Sequence, residues 1–186
     1  QGVKEQILIA QDTTRWGRDL SNASLRHLVR DAAGIPGLDW LRVLYCYPDE
    51  TDRALIDEMA AHQTVCRYLD LPLQHAVPRI LKAMNRRGDI EEVKALLQYA
   101  RERGFALRTT FIVGFPGETE EDFEALMAFV REVRFDRMGA FAFSPEEDTT
   151  AALLPDQIDE SVKQQRLSRL MALQQGISRE LNQQRV

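Results

Sequence analysis

The stretch RTTFIVGFPGETEEDF, residues 108–123, constrains the fold more than any other part of the chain. Its β-branched run breaks at Gly114 and Gly117, and Thr119 then has the spacing to Asp122 that is typical of a helix capping box. We therefore predict a strand, a tight turn and a helix. In parallel sheets such a turn lies at the carboxyl end of its strand, where ligands bind. The residues alone are equally compatible with a capped connection that binds nothing.

Strand-like and helix-like segments alternate along the 186 residues. Short apolar or alternating runs predict strands at Gln6–Ala10, Leu41–Pro48, Tyr68–Gln74, the run ending at Val113, and Met138–Phe143. Apolar spacing of three and four residues predicts helices that begin near Ser21, Leu55, Pro78, Asp89, Thr119 and Asp159. Short loops between such elements favour a parallel sheet with right-handed crossovers.

The number of strands decides between the possible α/β architectures. Five strands are fewer than the roughly eight of a closed barrel, so we expect a partial, open parallel β/α barrel with helices outside, in a single domain. The alternative is a doubly wound sheet, but the first loop, QDTTRWG, lacks the glycine-rich phosphate loop of that fold.

Composition excludes several functions. The net charge is −5, and the chain contains no basic cluster and no apolar run near the roughly 18 residues of a membrane span. We therefore expect no membrane association, no strong nucleic-acid binding by this chain alone, and a cytoplasmic location. The two cysteines, Cys46 and Cys66, have no metal-ligand spacing, and we expect them to be reduced thiols.

Polar residues follow every predicted strand, so the strand ends should form one ligand-binding mouth. Alternate residues of a strand point to the same face, which places Arg42, Asp70 and Arg108 on the inner face of their strands. We expect Asp70 to lie between the two arginines. Such charges are either paired structurally, or one arginine remains free to hold a ligand carboxylate. The same count places Thr110, Ile112 and Gly114 on this face.

The sequence does not favour phosphate binding, nucleophilic catalysis or a metal relay. The carboxylates of Glu118, Glu120, Glu121 and Asp122 surround the turn after the fourth strand and would repel a phosphate there. A flat heterocycle, which needs close backbone and apolar contact, suits the turn better. His75 has no partner spaced for a nucleophile or a metal relay, and a structural role is expected for it.

At FIVGFPGETEEDF the chain resembles the radical S-adenosylmethionine (SAM) methylthiotransferases. The segments IAQDTTRWG, LRVLYCYP, YLDLPLQHA, PRILKAMNRRG and FAFSPEEDTTA resemble family segments in the family's order, so the resemblance covers essentially the whole chain. One group of this family modifies a tRNA adenosine, and the other modifies an aspartate of small-subunit ribosomal protein S-twelve. QDT after the first strand and QHA after LPL resemble the ribosomal-protein group, since the tRNA group shows QN and QSG there.

The resemblance implies a six-stranded open barrel in which a [4Fe-4S] cluster binds SAM. It further implies a one-electron donor such as flavodoxin or ferredoxin, and a 5′-deoxyadenosyl radical that abstracts hydrogen from the aspartate before sulfur is inserted. The cofactor-binding residues it implies are Gln11, Asp12, Gln74, Arg108, Thr110, Ile112, Gly114 and Phe143. Ile112, Gly114 and Phe143 match the adenine contacts, and Gln74 matches a contact to ribose or carboxylate. No catalytic side chain is implied.

The chain departs from the family at the cluster. The family motif CxxxCxxC is absent, and Cys46 and Cys66 do not replace it. We expect a fragment of the radical SAM core that lacks the first strand and the cluster-binding loop, without the amino-terminal methylthiotransferase domain or the carboxy-terminal TRAM domain. Such a fragment should bind no cluster and have no activity alone. The alternatives are a tRNA adenosine methylthiotransferase and a non-catalytic SAM-binding module.

Overall fold

The computed structural model describes residues 2–184, which form alternating strands and helices. The strands are β1 (Glu5–Leu8), β2 (Trp40–Val43), β3 (Tyr68–Asp70), β4 (Ala106–Val113) and β5 (Arg137–Ala142). The helices are α1 (Leu25–Ala33), α2 (Arg53–Ala61), α3 (Pro78–Ala83), α4 (Ile90–Glu102), α5 (Glu120–Val133) and α6 (Glu160–Gln183). The predicted element order is confirmed. Two short 3₁₀ turns, Thr13–Arg15 and Thr150–Leu153, were not predicted from the sequence.

The chain divides into two compact units, and β4 begins in the first unit and ends in the second. The first unit contains residues up to Pro72 together with Glu92–Arg108. In it, β1 pairs in parallel with β2, and β3 pairs in parallel with the start of β4. Its core consists of fully buried side chains from strands and helices, among them Val29, Leu41, Ile56, Met59, Leu69 and Leu97.

The second unit contains Leu73–Glu91 and the chain from Thr109 onward. There the rest of β4 is hydrogen-bonded to β5. The ring of Phe111 packs edge-on against those of Phe129 and Phe135, with centroids 6.4 and 5.9 Å apart. Each such aromatic pair contributes roughly 0.5–1.5 kcal/mol beyond the area that it buries.

Helix starts show where the capping predictions succeed. In α5 the Thr119 hydroxyl accepts from the Asp122 N–H at 3.2 Å, and the Asp122 carboxylate accepts from the Thr119 N–H at 2.7 Å. The predicted capping box is therefore confirmed. Asp159 precedes α6, where the sequence also suggests a side-chain cap, but that cap does not form: the side chain makes no capping bond, and only the Asp159 carbonyl accepts from the N–H groups of Val162 and Lys163.

Within residues 2–184, no helix combines the length and the apolarity that crossing a lipid bilayer requires.

Candidate functional site

Residue Gln74 in the second unit lies directly beside β4. Its N–H donates to the carbonyl of Thr110 at 2.9 Å, and its own carbonyl accepts from the N–H of Ile112 at 2.8 Å. Its backbone is in the left-handed region, with φ of 70°. This conformation is uncommon for a residue other than glycine, and such backbone outliers cluster at binding sites. The Gln74 side-chain amide makes no hydrogen bond to any residue between 2 and 184, so it is available to a ligand.

The side chains of β4 alternate between two environments, as predicted. Phe111 and Val113 are completely buried, whereas Thr110 and Ile112 on the other face are half-buried. The Thr110 hydroxyl makes no hydrogen bond within the described part of the chain. This face therefore offers an apolar side chain, a hydroxyl and the Gln74 amide close together.

Gly114 directly follows β4, at a position where a side chain would be strained and would clash. Its φ is +73°, and a Cβ built on it would lie 2.4 Å from Cγ of Lys163, which is far inside van der Waals contact. The stem of Lys163 thus occupies the space that a side chain at position 114 would need. Glycine is required both by the backbone conformation and by this contact.

Phe143 directly follows β5. Its N–H donates to the carbonyl of Val113 at 2.8 Å, and its ring packs edge-on against Phe115, with centroids 5.1 Å apart. Its own carbonyl oxygen accepts from no donor among residues 2–184. That oxygen can therefore accept from the amino group of a heterocycle.

A buried polar network fixes the turn after β4. The Glu118 carboxylate is fully buried and accepts from the N–H of Gly114 at 2.9 Å and from Nη1 of Arg166 at 2.9 Å. Nε2 of His75 lies 3.4 Å from Oε2 of the same carboxylate, and Nδ1 of His75 accepts from the N–H of Val77 at 3.0 Å. Because Nδ1 accepts, the ring is neutral and its proton is on Nε2. Nε2 makes no hydrogen bond within residues 2–184, so the ring of His75 is held through Nδ1 and by its burial beside Glu118.

Three acidic residues around this turn, Glu118, Glu120 and Asp122, have partners among residues 2–184, whereas Glu121 is exposed and makes no such contact. Asp122 forms the capping box and an ion pair with Arg79, whose guanidinium also donates to the carbonyl of Gly117 at 3.0 Å. Burial alone would raise the pKa of Asp122, but hydrogen bonds from Thr119 and Arg79 hold that pKa below its usual value. The turn thus presents carboxylates rather than free amides, which agrees with the expectation that it does not bind phosphate.

Gln11 and Asp12, in the first unit, follow β1. Gln11 is exposed and makes no hydrogen bond within the described residues. The Asp12 carboxylate accepts from the N–H of Thr14 at 3.1 Å and pairs with Arg15 at 2.9 Å, so it caps the 3₁₀ turn. Its oxygens therefore already have structural partners.

Arg108 and Asp70 form an ion pair in the first unit, 2.5 Å apart. Asp70 also accepts from the N–H of Tyr45, whose backbone has φ of 56°. The expectation that Asp70 also contacts Arg42 is wrong, since Arg42 pairs with Glu5 at 3.0 Å. The register of β1 and β2 is the reason: Arg42 lies opposite Ile7, two residues from Glu5 on the same strand face.

Neither cysteine is suited to an iron–sulfur cluster. Cys46 is completely buried, and burial raises the pKa of its thiol to about 12, with a further contribution from Asp70. Cys66 is half-buried and free. Among residues 2–184, no group of histidine, cysteine and acidic side chains has the geometry of a metal site. The residues present do not fit a cluster, so no role toward one is assigned to them.

Two buried cations were not predicted as site residues, Lys163 and Arg166 of α6. The sequence contains a signal for both, because Arg166 is four and Lys163 seven residues before the buried Leu170, so that all three lie on the packed face of the helix. Gln174 on the same face is also buried.

Comparison with known proteins identifies the family. Residues 6–130, more than half of the chain, match the model of the radical SAM superfamily. The chain belongs to the radical SAM superfamily. Ribosomal protein uS12 methylthiotransferase RimO of Desulfitobacterium hafniense is 50% identical over 98% of this chain. RimO of Heliobacterium modesticaldum is 49% identical over 99% of it. The radical SAM chain spans only 42% and 41% of the lengths of these two relatives.

A solved structure has the same fold. Coproporphyrinogen III oxidase (HemN) from Escherichia coli, a radical SAM enzyme, matches with a TM-score of 0.65 and 24% identity. The match covers 82% of this chain and 36% of that chain. It confirms the predicted fold class, a partial parallel β/α barrel of the radical SAM type. The resemblance read from FIVGFPGETEEDF is confirmed by the family match and by the names of the relatives.

Proposed function

We propose that this chain is the SAM-binding core of a RimO-type methylthiotransferase, which adds a methylthio group to the β-carbon of an aspartate in ribosomal protein uS12. The observation that carries this proposal is the likeness to RimO, at 50% identity over 98% of the chain. Supporting it, both segments that distinguish the ribosomal-protein group, QDT and QHA, are present. The full-length protein would be cytoplasmic and would take electrons from a flavodoxin or a ferredoxin.

In this proposal the second unit holds the adenosine half of SAM. The free carbonyl of Phe143 accepts from the adenine amino group, and Ile112 contacts the face of the ring. The backbone at Gly114 contacts the adenine. The unpaired side-chain amide of Gln74 reaches the ribose or the methionine carboxylate. Thr110 lies deeper on the same face.

In the first unit, Gln11 and Asp12 are proposed to approach the methionine end of SAM. Arg108 is the weaker candidate for the methionine carboxylate, because Asp70 already pairs with it at 2.5 Å. The Asp12 oxygens are likewise engaged by Thr14 and Arg15. Gln11 is thus the first-unit residue with the most freedom to bind.

A [4Fe-4S] cluster, when bound in the full-length protein, supplies the one-electron chemistry that side chains do not supply. The residues of this chain bind and orient the nucleoside, because their positions are fixed by the Gln74 backbone bonds and by the Glu118 network. We propose that the cluster ligands and the TRAM and amino-terminal domains are in other parts of the full-length protein. This chain alone should therefore bind no cluster and transfer no methylthio group.

The test uses the full-length enzyme, reconstituted anaerobically with iron, sulfide, SAM and a reductant. It is incubated separately with ribosomal protein uS12 and with unmodified tRNA, and each product is analysed by mass spectrometry. We expect a methylthio mass increase on an aspartate-containing peptide of uS12 and none on tRNA. A mass increase on a tRNA adenosine would assign the other methylthiotransferase group. SAM binding without modification of either substrate would indicate a non-catalytic SAM-binding module.

A further inference from the structure

Lys163 of α6 lies where the ends of β4 and β5 meet. Its stem packs against Gly114, and its ammonium lies 5.5 Å from the centroid of the Phe143 ring. Both neighbours are residues that the proposed function places against the adenosine of SAM. The inference below rests on that proposal and adds a residue to the same site.

The Lys163 side chain is packed into the second unit, but its ammonium makes no hydrogen bond within residues 2–184. The residue is only 4% exposed, yet the nearest carboxylate oxygen in residues 2–184, Oε2 of Glu160, is 3.6 Å away. This distance makes the contact an ion pair rather than a hydrogen bond, and an ammonium has three N–H donors. The ammonium is not fully enclosed by protein, so these donors are open to water or to a ligand.

Arg166, three residues along the same helix, shows how a buried cation is satisfied in this unit. Its guanidinium donates to the Glu118 carboxylate at 2.9 Å and to the Glu118 carbonyl at 3.1 Å, and it pairs with Glu120 at 3.4 Å. Lys163 has no comparable set of acceptors. The difference between the two cations marks Lys163 as the one with free donors.

The position of the ammonium also allows a ligand to reach it. Its single nearby carboxylate belongs to Glu160, whose side chain is 67% exposed, so the ammonium lies at the boundary between the packed interior and solvent. The ring face of Phe143 adds a weak attraction for the cation and holds it close to the end of β5.

We propose that Lys163 is a ligand-contacting residue, whose ammonium donates a hydrogen bond to an acceptor atom of the bound nucleoside, either a ring nitrogen of adenine or a ribose oxygen. The acceptor belongs to the uncharged half of SAM, so the contact involves no repulsion from the sulfonium. Gly114 then has a second function, because its missing Cβ allows the stem of Lys163 to cross the strand end.

The test measures SAM and S-adenosylhomocysteine binding to the reconstituted full-length enzyme by titration calorimetry. Lys163→Met keeps the stem and removes the donor, and we expect about tenfold weaker binding, the size of one hydrogen bond. The control is Glu160→Gln, which removes the one nearby carboxylate and should bind as the wild type does. Wild-type affinity in Lys163→Met would overturn the inference and leave the proposed function intact, whereas no SAM binding by the wild type would overturn both.

A second measurement separates a ligand contact from a packing effect, and it applies even if Lys163→Met is unstable. Adenosine analogues that lack one acceptor, such as 3-deaza, 7-deaza, 2′-deoxy and 3′-deoxy adenosine, are titrated into the wild type and into Lys163→Arg. One analogue should bind the wild type about tenfold more weakly than adenosine, and Lys163→Arg should change this ratio. If the ratios are the same in both proteins for every analogue, Lys163 does not contact the nucleoside.

Discussion

Replacing Arg166 with Met should destabilise the second unit far more than replacing Arg169, although the two arginines lie on the same helix. The side chain of Arg166 is 6% exposed and contacts a Glu118 carboxylate that is 0% exposed. Without the guanidinium, Glu118 remains a buried charge with only the Gly114 N–H and His75 to stabilise it. Breaking a buried pair in this way costs about 3–5 kcal/mol.

Arg169 is the matched control. It is 36% exposed and pairs with Glu120 and Glu124, whose side chains are 57% and 48% exposed. Exposed pairs contribute roughly 0–1 kcal/mol, so Arg169→Met should have a small effect. Both guanidinium groups lie over the Phe123 ring, 5.7 and 4.7 Å from its centroid, and both variants lose that contact, so the difference between them reports the buried charge.

The assay is urea unfolding at neutral pH, with the free energy of unfolding extrapolated for the wild type, Arg166→Met, Arg169→Met and the double variant Glu118→Gln/Arg166→Met. The double variant should be more stable than Arg166→Met alone, because it no longer buries an unpaired charge. Equal losses for Arg166→Met and Arg169→Met would refute the network. A double variant less stable than Arg166→Met would also refute it.

Three further predictions concern other parts of the chain. Hydrogen bonding and the charge of Arg30 lower the pKa of Glu58 from 4.5 to about 2, so its ionised form stabilises the fold above pH 4.5 and this stabilisation is lost as the pH falls toward 2. In Glu58→Gln the free energy of unfolding should change less with pH across that interval. An unchanged pH dependence would contradict the lowered pKa of Glu58. Cys46 is buried with its pKa raised to about 12, so iodoacetamide followed by mass spectrometry should label it only in denatured protein. Gly114→Ala should lower the thermal midpoint more than Gly104→Ala, because both have positive φ but only the first alanine clashes; equal shifts would disprove the clash.

The sequence was most informative where a short-range rule decides the structure. The alternation along β4 was predicted, and Thr110 and Ile112 do lie on the face opposite Phe111 and Val113. The capping box at Thr119 was predicted in the same way, because its bonds join residues three positions apart. Such features depend on local geometry alone.

The errors and omissions have a common cause, which is that long-range partners are not visible in a single sequence. Arg42 was assigned to Asp70, but the register of β1 and β2 pairs it with Glu5. Lys163 and Arg166 were not identified as site residues, although helix α6 packs both of them inward. The positive φ of Gln74 was also unpredictable, because hydrogen bonds from a strand far along the sequence hold it.

The central claim, that the second unit binds the adenosine half of SAM, is tested most directly by hydrogen–deuterium exchange of the full-length, anaerobically reconstituted enzyme with and without SAM. Ligand-induced protection should appear in peptides that contain Ile112 to Glu118, in those around Phe143, and at Gln74. Protection at these three segments is the predicted result. SAM binding that leaves all three unprotected would contradict the account.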